Sequence, residues 1–301
     1  MAEGEDTGPI DAALARGLVE RQFPRWAGLA VAAVSISGTD NAIFRLGEDK
    51  AVRLPRLARV AGQAEKEWRW LPRLAPALPL AVPTPLALGA PDAAYPWPWT
   101  VCRWVEGEPV TLERLADPEA AARDLAGFLI ALRAQDAAGG PRPGAHNFYR
   151  GQPLSVRAEP TRAAISRLAD VADAQALSRA WEACLEAPAW DGPPMWIHGD
   201  LHRSNLLARD GRLCGVIDFG GLGVGDPACD LMVGWSLFEP RSRAALREAL
   251  APDEASWARG RGWALWNAIA ALDYYRDANP TLAATSRHAM GQVLAEFEGG
   301  V

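Results

Sequence analysis

Residues 196–219 read WIHGDLHRSNLLARDGRLCGVIDF, and the rest of the chain is best understood outward from them. Two apolar runs, Asn205–Ala208 and Leu213–Ile217, flank the turn Arg209–Arg212, which is the pattern of a β-hairpin. Asp200 and Asn205 sit in the loop before its first strand, and Asp218 ends its second. In an antiparallel ribbon those two places are neighbours. The expectation is that two carboxylates and one amide meet at a single point.

Such a trio has a chemical use. Phosphoryl transfer asks a protein mainly to position groups and to neutralise charge, with Mg²⁺ bridging phosphate oxygens and a carboxylate taking the acceptor's proton. Mg²⁺ prefers hard oxygen donors and few of them, which one Asp and one Asn carbonyl supply. The spacing D-x-x-x-x-N followed thirteen residues later by D-F-G (Asp218, Phe219, Gly220) is also that of protein kinases. Taken singly, Asp200, Asn205 and Asp218 each suit a cap or a turn; their joint spacing favours a shared site. His198 and His202, four apart, raise the alternative of a zinc pair. Gly199 and Asp200 between them do not belong on a helix, and no third ligand follows.

Upstream, Ile10, Leu14, Leu18 and Val19 recur at helical spacing, and VAAVSIS, NAIFRL and KAVRL read as antiparallel strands. Residues 64–74 resume a helical pattern that Pro72 is expected to end or kink. A Pro-dense stretch from residue 78 excludes helix and leads to a strand, WTVCRWV. From there the character changes: Asp117 and Pro118 stand at the N-cap and first turn of a long helix, and helical patterns dominate, broken by one β-rich island at 195–219. The division expected is a disordered 1–9, a β-rich lobe at 10–105 and a mostly helical lobe at 106–301.

HGDLHRSN, VIDFGG and GDPACDL together resemble the aminoglycoside phosphotransferase family, small-molecule kinases with a protein-kinase-like fold. The resemblance implies an α+β, bilobed fold with a small β-rich N-lobe and a larger, mostly helical C-lobe. It makes Asp200 the base, Asn205 and Asp218 the Mg²⁺ ligands and His198 a brace of the loop, with His202 near the phosphate. Asp226 and Asp230 would start the next helix and hold the loop. Ser37, Gly38 and Thr39 would cover the phosphates of ATP or GTP, and Arg103 and Val105 in CRWVEG would meet the base. Strand position and resemblance point to Arg53 as the phosphate-gripping cation, where many relatives carry Lys; Arg56 and Lys50 are alternatives. Macrolide-phosphorylating relatives resemble this chain around Arg53 in KAVRLPR and at LPLAVP. Glu67 would hold Arg53, with Glu65 as second choice.

On the acceptor side the resemblance implies acidic residues for a polyamine sugar, and Glu239, Asp273 and Asp277 are the candidates. Trp235, Trp257, Trp263 and Trp266 are read as core, or as the lining of a pocket for a large apolar acceptor. Aminoglycosides are the first acceptor class expected, macrolides the second, and simple alcohols such as choline or homoserine the third; a nucleotide-binding pseudokinase is the non-enzyme alternative. Over 301 residues the net charge is −6, which excludes a basic nucleic-acid reader. Four irregularly spaced cysteines and an acidic N-terminus without an apolar stretch lead to the expectation of a cytoplasmic monomer or homodimer.

Overall fold

The computed structural model describes residues 9–34 and 40–299. The expected disorder at 1–9, save Pro9, and the phosphate-covering role of Ser37, Gly38 and Thr39 therefore lie outside the described residues. The chain forms two compact units: residues up to Glu106 together with Gly215–Gly220, and Gly107–Cys214 together with the residues from Gly221 onward. Gly215–Gly220, which the sequence reading placed in the helical region, pack with the first unit.

Among the described residues the first unit is a five-stranded antiparallel sheet with two α-helices. Helix α1 (Ala12–Gln22) starts where the Asp11 carboxylate accepts from the Leu14 N–H at 2.9 Å. Strands β1 (Val31–Ala33), β2 (Asn41–Leu46), β3 (Lys50–Pro55), β4 (Pro85–Gly89) and β5 (Trp99–Arg103) lie in the order β1-β2-β3-β5-β4. A strand inside the Pro-dense stretch was not expected. It is tolerated because β4 is an edge strand, where Pro85 interrupts no central ladder. Helix α2 (Gln63–Leu74) continues two residues beyond Pro72, which removes a hydrogen bond only near the helix exit. Leu18 and Val19 of α1 pack with Phe44, Val52, Leu54, Trp99 and Val101 in one core. A fully buried side chain of this size stabilises by about 1.5–3 kcal/mol.

In the second unit, α3 (Pro118–Arg133) follows a two-residue strand, β6 (Glu108–Pro109), and is capped by Asp117, whose carboxylate accepts from the Ala120 N–H. Helices α4 (Ala158–Arg167) and α5 (Ala174–Leu185) precede the β-rich island. That island holds β7 (Met195–Ile197), β8 (Leu206–Arg209), β9 (Arg212–Val216), whose last two residues belong to the first unit, and β10 (Gly223–Gly225). It is longer than the sequence suggested, because β10 pairs with β7 and β6 with β8. Helices α6 (Val233–Ser236), α7 (Pro240–Leu250), α8 (Glu254–Tyr275) and α9 (Pro280–Gly299) complete the unit. Trp181, Trp235, Trp263, Ile269 and Val293 are buried in their common core. Among the described residues no helix is long and apolar enough to cross a membrane.

Candidate active site

The loop between β7 and β8 carries Asp200 and Asn205 in the second unit. Gly199 turns it, with φ +81°; a Cβ there would lie 2.2 Å from the Gly221 carbonyl oxygen, so only glycine fits. The fully buried Asp230 holds the turn from beneath, its two carboxylate oxygens each accepting at 2.8 Å from the amides of His198 and Gly199. Asp226 caps the short helical segment Pro227–Met232 and accepts from the Arg259 Nε at 2.8 Å, both side chains buried. Of the two aspartates, Asp230 bonds to the loop itself, while Asp226 bonds to the segment that follows and to Arg259.

Asp200 keeps a third of its side chain exposed. Burial would raise its carboxyl, but His202, Arg150 and His198 outweigh that and hold it well below the usual carboxylate range. The Arg150 Nη2 donates to Asp200 Oδ1 at 2.9 Å, and His202 Nε2 lies 3.4 Å from Oδ2. The Asn205 Nδ2 donates to the Asp200 carbonyl at 2.9 Å, so the amide's carbonyl oxygen is the atom left to meet a cation. His198 and His202 are engaged within the loop: the Asp200 N–H donates to His198 Nδ1 and the Ser204 N–H to His202 Nδ1. Among the described residues no three His, Cys, Asp or Glu side chains form a metal cluster.

Arg150 escaped the sequence reading. It lies 50 residues before its partner, in NFYRG, and no spacing rule links the two. The backbone shows its importance: the preceding Phe148 and Tyr149 both have left-handed conformations, φ 53° and 58°. Such residues cost of order 1–3 kcal/mol each and persist only where the surroundings over-determine them. Here the Asn147 Nδ2 donates to the Arg150 carbonyl, and Asn147 Oδ1 accepts from the Gly144 N–H, both at 3.0 Å.

Asp218 belongs to the first unit. It also has positive φ, 62°, and its Oδ1 accepts from Arg53 Nη2 at 2.7 Å. The other nitrogen, Nη1, donates to Glu67 Oε2 at 2.5 Å. Among the three cations considered, Arg53 is the buried one, while Arg56 is exposed and Lys50 pairs with Asp49. Glu67 is likewise buried and Glu65 exposed. Burial would lower the Arg53 guanidinium, but Glu67 and Asp218 more than reverse it. Burial pushes the Glu67 carboxyl up. Lys66, which sequence reasoning passed over, donates to the Gly220 carbonyl at 2.6 Å and is pushed down to about 8 by burial. The Arg103 amide is taken by the Thr84 carbonyl, and Val105 is buried.

A model of a phosphotransferase enzyme family matches residues 32–295, nearly the whole chain. The chain belongs to that family. It is therefore a phosphotransferase, and the resemblance read from HGDLHRSN and VIDFGG holds. No curated protein matches it. Solved structures do. It is similar to the GDP complex of aminoglycoside 2'-phosphotransferase-IIIa at 18% identity and TM-score 0.72, over 95% of this chain and 99% of that one. It is similar to the streptomycin–ATP ternary complex of APH(2")-IIa at 20% identity and TM-score 0.60, over 96% and 98%. A third is the macrolide 2'-phosphotransferase apoenzyme of Brachybacterium faecium, at 25% identity and TM-score 0.60, over 95% and 98%. These likenesses establish the family's α+β fold, with a β-sheet N-terminal region and a helical C-terminal one.

The expected acceptor residues are not brought together as a cluster. Asp273 accepts from Arg167 at 2.6 Å and 3.1 Å. Asp277 is exposed beside Arg276, and Glu239 accepts from Gln292 at 3.0 Å. Trp235, Trp257 and Trp263 are core residues, while Trp266 is half-buried.

Proposed function

We propose that this phosphotransferase moves the γ-phosphate of ATP or GTP onto a hydroxyl of a small molecule, with Mg²⁺. The observation that carries the reading is Asp200: an ionised carboxylate beside Asn205, on a loop locked by Asp230. A nucleotide-binding regulator has no use for such a base.

In this reading Asp200 orients the acceptor hydroxyl and takes its proton, His202 and Arg150 keep the carboxylate charged, and His198 braces the turn. Arg53, steadied by Glu67, grips the donor phosphates under Ser37, Gly38 and Thr39, and backbone groups at Arg103 and Val105 meet the base. The Asn205 carbonyl and the Asp218 carboxylate are hard oxygen donors suited to Mg²⁺, which when bound neutralises phosphate charge.

Aminoglycosides and macrolides are the acceptor classes to test first, with choline- or homoserine-like alcohols after them. One observation favours the macrolide class. Glu239, Asp273 and Asp277 are engaged with Gln292, Arg167 and Arg276, and Asp200 has an arginine at its side, an arrangement unsuited to a polycation. Nucleoside diphosphate release should be measured with ATP and with GTP against aminoglycosides, macrolides and amino-alcohols. Failure of every acceptor to stimulate release in the wild type, or full release by Asp200→Ala, would overturn the reading.

A further inference from the structure

Arg150, the partner of Asp200, has a second arginine, Arg157, beside it. The guanidinium carbons of Arg150 and Arg157 each lie 4.4 Å from the centre of the Trp266 ring and 5.7 Å from that of Trp263. The two indoles meet edge to face, 5.4 Å apart, so they form a corner that holds both cations. Stacking of this kind favours each arginine singly. It does not remove the repulsion between them.

Among the described residues one carboxylate answers the two charges. Arg150, with 7% of its side chain exposed, pairs with Asp200 at 2.9 Å. Arg157 donates to the Phe148 carbonyl, and among the described residues it has no carboxylate within ion-pair distance. Burial, and then the charge of Arg150, push it down to about 10. The Nε of each is buried and has no hydrogen-bond partner among the described residues. Two neighbouring guanidiniums that carry more charge than the one carboxylate beside them suit an oxyanion, since the planar fork matches phosphate oxygens.

We propose that Arg150 and Arg157 form an oxyanion subsite that takes the phosphoryl group as it passes to the hydroxyl held at Asp200. The proposal rests on the reading of Asp200 given above. In the transfer, the acceptor oxygen bonds to the γ-phosphorus and the bond from that phosphorus to the β–γ bridging oxygen breaks. Asp200 takes the hydroxyl proton, and nucleoside diphosphate leaves. The product is a phosphate monoester carrying about −1.5 to −2 charges at neutral pH. It forms on the very oxygen that Asp200 engaged, and Asp200, once it has released the proton, is a second anion beside it unless that charge is balanced. Arg150 balances Asp200, and Arg157 supplies the cation in excess.

The test titrates the full-length wild type with inorganic phosphate, without nucleotide or Mg²⁺, following the arginine Nε–H signals by NMR. Acetate forms a parallel arm for a carboxylate source. Phosphate is expected to shift the Arg150 and Arg157 signals in a saturable way. Arg157→Gln should weaken phosphate at least tenfold and lower kcat ten- to a hundredfold, with nucleotide KM within twofold of wild type; Arg157→Lys should retain most of both. Unshifted arginine signals, equal phosphate affinity in Arg157→Gln, or a response to acetate but not phosphate would overturn the proposal. The titration needs no turnover, so its outcome is separable from that of Asp200→Ala.

Discussion

Replacing Arg53 by Met removes one partner from a buried ion pair and leaves the other in place. The Glu67 side chain is 4% exposed, and its Oε1 already has no hydrogen-bond partner among the described residues. Once Arg53 is gone, Oε2 loses its 2.5 Å donor, and a carboxylate stays inside the first unit with Lys66 as its nearest remaining cation of note. Breaking a buried pair from one side costs about 3–5 kcal/mol, whereas replacing both partners by apolar groups is often neutral. Arg53→Met should therefore lose about 4 kcal/mol, and Arg53→Met with Glu67→Met should recover most of it. At a urea slope of about 3 kcal/mol/M, the single variant's midpoint falls by roughly 1.3 M. The loss should also depend on pH. Burial raises the folded-state value for Glu67 above its unfolded one, so the folded form binds a proton more readily. The penalty then grows as pH rises above the unfolded value of about 4.3 and shrinks below it. Urea melts of wild type, both single variants and the double variant at pH 5 and pH 7 measure this directly. Equal destabilisation of the single and double variants, or a penalty independent of pH, would refute the reasoning.

Asp200→Ala should lower kcat by at least 10²–10⁴-fold, the usual contribution of a general base, while a fluorescent nucleotide still binds with wild-type affinity. Asp218→Ala should weaken nucleotide binding in the presence of Mg²⁺ and change it little with EDTA, as a direct titration will tell. Asp230→Asn loses one of the acceptors that hold the His198 and Gly199 amides; kcat should fall more than tenfold with nucleotide affinity unchanged, and an unaltered kcat would deny the loop its brace. Gly199→Ala should leave little soluble, active protein, because its Cβ would collide with the Gly221 carbonyl, and normal expression with full activity would count against the turn geometry.

Much of the fold could be read in advance because its signals are local. The helix at Pro118–Arg133 announces itself through Asp117 and Pro118, and β2 and β3 through alternating apolar runs. Errors arose where pairing partners lie far apart. β10 is three residues with two glycines, and it is a strand only because β7 lies beside it. β4 is a strand despite its proline because it sits at a sheet edge. Asp273 and Asp277 were chosen by helix position, a criterion blind to the arginines that lie against them.

By itself the sequence determined the family, the local elements and the spacing of Asp200, Asn205 and Asp218, since motif and periodicity are properties of short stretches of chain. Tertiary structure alone decided which cation among Arg53, Arg56 and Lys50 is buried against Glu67, and that Arg150 is the partner of Asp200. Those pairs join residues 14 and 50 apart, and the bond from Arg53 to Asp218 spans 165. Electrostatic pairing depends on distance in space and on burial, and neither leaves a repeating mark along the chain.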